Sequence, residues 1–229
     1  MQRHPEADGP GRIWVDLSRF GRPGADIGEA IAAAVAQGAA GVRVQAVADA
    51  SGTHIHQLRA SRRRRGAVPL VELVDGVHAL GEAGHSPPPD LVVQVDLPDV
   101  ATEVVTSARA AGLLESLWVT SPDLEVLLGV RGESPATRLL HVCDPAREVH
   151  GPERHAATLR SEEIEGVLVH RDTVRAGAVV LMHRFTRLVA VEGIEYLRHL
   201  ERARDAGADL LCCSDPAVLP AGTRGSAGG

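Results

Sequence analysis

Lysine and asparagine are missing from the 229 residues, and all 24 basic side chains are arginine. Any mechanism that needs a lysine amine or an asparagine amide is excluded. Aromatic residues make up only 2%, too few for the stacking platform that holds single-stranded nucleic acid. No apolar run approaches the roughly 20 residues that a membrane span needs. The three cysteines, Cys143 and the adjacent Cys212 and Cys213, are odd in number and lack the spacing of a disulfide framework. They fit a reducing compartment and read first as small buried hydrophobes. A formal net charge of -6 discourages non-specific binding to nucleic acid. Residues 1–11 are polar, without an apolar signal core, so a cytoplasmic location is expected.

What is present is aliphatic. Apolar residues are 44% of the chain, mostly Ala, Val and Leu, enough to bury a sizeable core. They fall into eight short runs: Ile13–Leu17, Gly41–Ala46, Leu91–Leu97, Ser116–Thr120, Thr137–Val142, Gly166–His170, Leu188–Glu192 and Ala208–Cys213. Helical patterns lie between several of them, at Asp26–Gln37, Asp99–Ala111, Asp123–Gly129, Arg175–Phe185 and Gly193–Ala206. Alternating strands and helices imply a parallel sheet with right-handed crossovers. Eight such units in a chain of this length predict a closed (β/α)8 TIM barrel over 12–219, with a doubly wound open sheet as the alternative. Residues 1–11 and 220–229 are expected to be disordered tails. Gly52–Gly66, with His54, His56 and the run Arg62–Arg65, fits no barrel unit.

A barrel of this kind carries its site at the C-terminal ends of the strands. Those ends hold Asp16, Arg43, Gln45, Asp96, Thr120, His141, His170, Glu192 and Asp215. Arg43 and Gln45 are two apart on one strand and share a face, which leaves Val42 and Val44 to pack outward against helices. Several carboxylates and histidines at one mouth could hold a divalent cation, although loop ends are polar simply because they meet water. His54 and His56 form a His-x-His pair with no third ligand in sight, and His141 and Cys143 make no evident nucleophile–base pair.

The order of several short segments resembles glycerophosphodiester phosphodiesterases. DIGEAIAAAVAQGAAGVRVQ, ending at Gln45, is similar to a helix that runs through Gly-Ala-Asp-Gly into a strand bearing Glu-x-Asp. His56–Arg59, Val68–Leu73, Val95–Pro98, and Ala206–Asp209 through Ser214–Pro216 follow the later family segments in order. The resemblance implies a divalent cation held by the Glu-x-Asp acids and a later Glu, with two histidines moving protons. Carried over residue by residue, the acids become Arg43 and Gln45, and the later Glu becomes Asp96. The first histidine position reads Asp16-Leu17-Ser18, a lysine position reads Pro98, and a helix-opening Glu falls at Ala25. His56 alone matches a catalytic histidine.

Losing two of three carboxylates removes most of the attraction for a hard cation, and Arg43 adds repulsion. The leading expectation is therefore a pseudoenzyme: a non-catalytic binder of a small phosphate-bearing or anionic ligand, or a regulatory subunit. Arg43, Gln45, Asp96 and Glu192 would line the site, with Asp96 orienting Arg43. An Arg43–Asp96 ion pair that binds nothing is the plainer alternative. A second reading is a rebuilt phosphodiester hydrolase in which Asp16, Asp96 and Glu192 hold Mg or Ca while His56 or His170 carries protons. A third is a homo-oligomeric assembly component with a protein partner, associating through an apolar face of Arg175–His183 at Val179 or Leu181.

Overall fold

The computed structural model describes residues 12–17, 26–49, 52–56, 67–84, 87–215 and 218. The expected tails and the Arg62–Arg65 run lie outside the described residues. In chain order the elements are β1 (Arg12–Asp16), α1 (Ile27–Ala36), β2 (Gly41–Asp49), β3 (Gly52–His56), β4 (Ala67–Pro69), α2 (Leu70–Glu82), β5 (Asp90–Gln94) and α3 (Pro98–Ala110). Then follow β6 (Leu117–Ser121), α4 (Leu124–Glu133), β7 (Arg138–Val142), α5 (Pro152–Ser161), β8 (Gly166–His170), α6 (Ala176–Arg184), β9 (Leu188–Ile194), α7 (Leu197–Asp205) and β10 (Leu210–Cys213).

Helices α1 to α5 form where a capping side chain or a proline precedes the buried face, whereas α6 and α7 start without either. Asp26 accepts a hydrogen bond from the Glu29 amide at 3.1 Å, and Ile27, Ala30, Ile31 and Ala34 then bury one face of α1. Pro98 opens α3, where its missing N–H costs nothing, and Val100, Ala101, Val104, Val105 and Ala108 face the strands.

All eight apolar runs form parallel strands, and β1 pairs with both β2 and β10. The ring β1–β2–β5–β6–β7–β8–β9–β10 is closed, so the barrel is formed and the open sheet is not. Gly41 is needed where β2 passes β5: a Cβ there would stand 2.3 Å from the Asp90 carbonyl oxygen. The segment that fits no barrel unit begins as a strand. β3 runs antiparallel to the upper half of β2, and β4 continues the arm.

Two apolar layers result. Odd-numbered and even-numbered strand residues separate by the pleat, and Val42, Val44, Leu91, Val93, Leu117 and Val119 pack outward against helices. Inside lie Trp14, Val92, Trp118, Leu140, Leu168, Ala190 and Cys212. The outer layer is aliphatic, as the composition implies, but both tryptophans fill the barrel centre, in an edge contact with ring centroids 5.1 Å apart. Truncating Trp118 to Ala would cost roughly 3–5 kcal/mol. The lower end is sealed by Asp90, 1% exposed, which accepts from Trp14 Nε1 at 2.9 Å and pairs with Arg12 at 3.0 Å.

The apolar stretch of α6 is a correction to the oligomer reading. Val179 and Met182 are buried against the barrel and Leu181 is half-buried; only Val180 among these is well exposed. The face expected to mediate assembly is largely used by the fold itself.

Candidate functional site

The closed ring places the inward residues of β1, β2, β5 and β9 around one centre at the C-terminal mouth. Arg43 stands in register with Asp16 on β1, and its side chain is 8% exposed. Its Nη1 donates to Asp16 Oδ2 at 3.1 Å. Its Nη2 pairs with Glu192 Oε2 at 2.8 Å and also donates to Gln94 Oε1. The Arg43 Nε is buried without a hydrogen-bond partner among the described residues. Burial works against the charge of Arg43, but Cys212, Asp16 and Glu192 outweigh it and hold the group above its ordinary value. The carboxylates do this at neutral pH, because burial pushes the Cys212 thiol well up and keeps it uncharged.

The expected Arg43–Asp96 pair is not made. Asp96 is exposed and accepts from Gln45 Nε2 at 3.3 Å instead. Register explains the difference. Gln45 is level with Gln94, so Asp96, two residues on and past the end of β5, stands above the ring that Arg43 occupies. Gln94, the last residue of β5, takes the place next to the guanidinium, one inward position below the Asp96 that the sequence pointed to. Thr120, fully buried beside Gln94 in register, has a hydroxyl oxygen without a hydrogen-bond partner among the described residues.

His170 sits at the rim, its side chain 47% exposed, and its ring Nδ1 accepts from the Asp172 amide at 3.3 Å. Gly193 lies against it with φ +77°, and a Cβ on Gly193 would come within 2.8 Å of His170 Nε2. His56 lies on β3, its backbone opposite Gln45; its side chain lies outside the described residues. The structure therefore brings Asp16, Arg43 and Glu192 together, sets Gln45 and Asp96 beside them, and leaves His170 apart.

Divalent Mg or Ca needs several oxygen ligands around an open centre. Here the guanidinium of Arg43 fills the space between two of the three carboxylates, and Gln45 turns its amide nitrogen toward the third. The mouth as built does not fit the cation that the resemblance implies.

His141 and Cys143 belong to a different place. They occupy the outward side of β7 and face α5, where they meet Glu148 and His155. The placing of His141 among the strand ends of the mouth is thus corrected by the pleat, since inward positions on β7 are even-numbered, as Leu140 shows.

No protein-family model matches the sequence, and no curated protein matches it either. Solved structures do share its fold. A protein of Silicibacter pomeroyi assigned as a glycerophosphoryl diester phosphodiesterase aligns at 13% identity, over 91% of each chain, with a TM-score of 0.73. A phosphodiesterase of Oleispira antarctica, in complex with the product sn-glycerol-3-phosphate, aligns at 12% identity over 92% of this chain and 96% of that one, with a TM-score of 0.71. A glycerophosphodiester phosphodiesterase of Parabacteroides distasonis gives 13% identity, coverage of 91% and 95%, and a TM-score of 0.68.

Fold and mouth define a closed parallel (β/α)8 barrel with a charged ring at its C-terminal end. Within that class, its fold is the one seen in glycerophosphodiester phosphodiesterases, in agreement with the resemblance carried by its sequence segments. No helix among the described residues is long and apolar enough to cross a membrane.

Proposed function

We propose that this chain is a non-hydrolytic barrel of the phosphodiesterase type, which binds at its mouth without cleaving a phosphodiester. The observation that carries the reading is Arg43, buried between Asp16 and Glu192 at the position where the resemblance implies a metal-binding carboxylate. A guanidinium is permanently charged, so it neutralises the carboxylates at every working pH. It can bind a phosphate but cannot polarise one as a metal Lewis acid does, and it activates no water.

The ligand class is a small phosphate-bearing or other anionic group. Such a group would reach Arg43 by exchanging with Glu192, whose side chain is 22% exposed against 11% for Asp16. A rebuilt hydrolase using Asp16, Asp96 and Glu192 has less support, since Arg43 already holds two of these acids. The three cysteines are free thiols, which favours a reducing compartment such as the cytoplasm.

A thermal-shift series with Mg, Ca, inorganic phosphate and sn-glycerol 3-phosphate tests the reading. At about a hundred times its Kd a ligand stabilises by about 2.7 kcal/mol, or roughly 5–11 °C for a domain of this size. Stabilisation by a phosphate compound, absent in Arg43→Met, is the expected result. Stabilisation by Mg or Ca alone would overturn it.

A further inference from the structure

Outside the wall of β7, away from the Arg43 ring, four donor side chains converge within residues 141–155. His141 stands near the end of β7 and Cys143 just beyond it. Glu148 follows a 3-10 turn at Pro145–Arg147, and His155 lies in the first turn of α5. One donor atom from each lies within 4.8 Å of all the others. His141 and His155 are each 7% exposed, and the Glu148 side chain is 28% exposed. This is a part-buried pocket rather than a surface cluster.

The hydrogen bonds orient the rings. His141 Nε2 lies 3.1 Å from the Pro122 carbonyl oxygen, which can only accept. The ring proton is therefore on Nε2, and the Nδ1 lone pair points at His155 Nε2, 3.2 Å away. Metal-binding histidines are commonly held this way, with the distal N–H donated to a carbonyl. His155 Nδ1 in turn faces Glu148 Oε2 at 3.8 Å, leaving its Nε2 directed at His141 and at Cys143 Sγ, 3.6 Å away.

The His141–His155 and Cys143–His155 spacings match one ion. A tetrahedral zinc, with Zn–N of about 2.05 Å and Zn–S of about 2.3 Å, sets two nitrogen ligands about 3.3 Å apart and nitrogen and sulfur about 3.6 Å apart. The pairs here measure 3.2 and 3.6 Å. Charge agrees as well. A thiolate, a carboxylate and two neutral imidazoles sum to -2, so a divalent ion leaves the pocket neutral, and that favours burial. Sulfur and imidazole donors suit zinc and disfavour Mg and Ca, which want oxygen.

We propose that His141, Cys143, Glu148 and His155 bind one zinc ion in a structural site that ties the end of β7 to the start of α5. Binding displaces the thiol proton of Cys143 to solvent, and the Glu148 carboxylate closes the coordination. Four protein donors leave no open position for substrate, which marks the site as structural. The proposal stands independently of the Arg43 reading.

Cobalt substitution of the metal-stripped full chain tests it. One Co2+ per chain should give the intense visible bands of a tetrahedral site and a thiolate charge-transfer band in the near ultraviolet, both abolished by one equivalent of Zn2+. Cys143→Ser should lose the charge-transfer band, and His155→Ala should weaken zinc binding by about a hundredfold or more. His170→Ala, at the rim, should bind as wild type does. Zinc should also protect Cys143 of the wild-type chain from alkylation, a readout that needs no variant to fold. A six-coordinate cobalt spectrum without charge transfer, or zinc retained equally by Cys143→Ser and His155→Ala, would overturn the proposal.

Discussion

Replacing Arg43 with Met keeps most of the side-chain volume and removes the charge. Asp16 and Glu192, 11% and 22% exposed, then lose the guanidinium that stands between them. Breaking a buried ion pair from one side costs about 3–5 kcal/mol, since the orphaned charge keeps its desolvation penalty. Partial access of water to Glu192 puts the loss near the lower end, about 3 kcal/mol. At about 2–4 °C per kcal/mol for a domain of this size, the midpoint should fall by roughly 6–12 °C. Differential scanning calorimetry of the two proteins in metal-free buffer measures it. Arg43→Met combined with Asp16→Asn and Glu192→Gln should recover most of the loss, because the charges that Arg43 balanced are removed with it. Adding Mg or Ca should raise the midpoint of Arg43→Met and leave wild type unchanged. A single variant within about 1 kcal/mol of wild type would refute the reasoning.

Further outcomes follow from the same interior. Burial raises the Asp90 carboxyl above its ordinary 3.8, against the pull of Arg12 and the Trp14 hydrogen bond. The stability it contributes is fully present below about 3.8 and is lost as pH rises through the raised native value. Asp90→Asn should therefore flatten the fall in stability as pH rises through that window, as urea midpoints taken from pH 4 to 7 would show; an unchanged slope counts against it. Gly193→Ala must adopt φ +77° with its Cβ 2.8 Å from His170 Nε2, and should lose about 1–3 kcal/mol and shift the His170 ring resonances; an unaltered protein would deny the close approach. Cys213 is pushed up to about 12, and Cys212 is also raised well above the ordinary thiol value, chiefly by burial. Iodoacetamide at pH 8 should leave both unmodified in the native protein, as peptide mass mapping reports, and rapid labelling of either would contradict their burial.

The barrel strands were legible because each apolar run is bounded by turn or cap residues, and all eight runs became strands. Periodicity did not mark α2 and α5 as helices, for physical reasons. α2 carries Gly76 and Gly81 within it, and α5 buries only His155, Ala156 and Leu159 in an otherwise charged segment. At the mouth, Asp16, Arg43 and Glu192 could be named because strand ends point there. Their partners could not, since which acid meets Arg43 depends on stagger between strands, which no single segment encodes. The same limit hid the four-donor pocket. His141 and Cys143 stand two residues apart in the sequence, but whether they look into the barrel or out to α5 is decided by the closure of the whole ring.

The measurement that bears most directly on the role of Arg43 is turnover of a glycerophosphodiester by the pure chain across a range of Mg and Ca concentrations. If Arg43 replaces a metal ligand, as proposed, release of glycerol phosphate should stay at the uncatalysed rate at every metal concentration. Saturable, metal-dependent hydrolysis that disappears in His56→Ala would contradict that reading and restore the chain to the working phosphodiesterases.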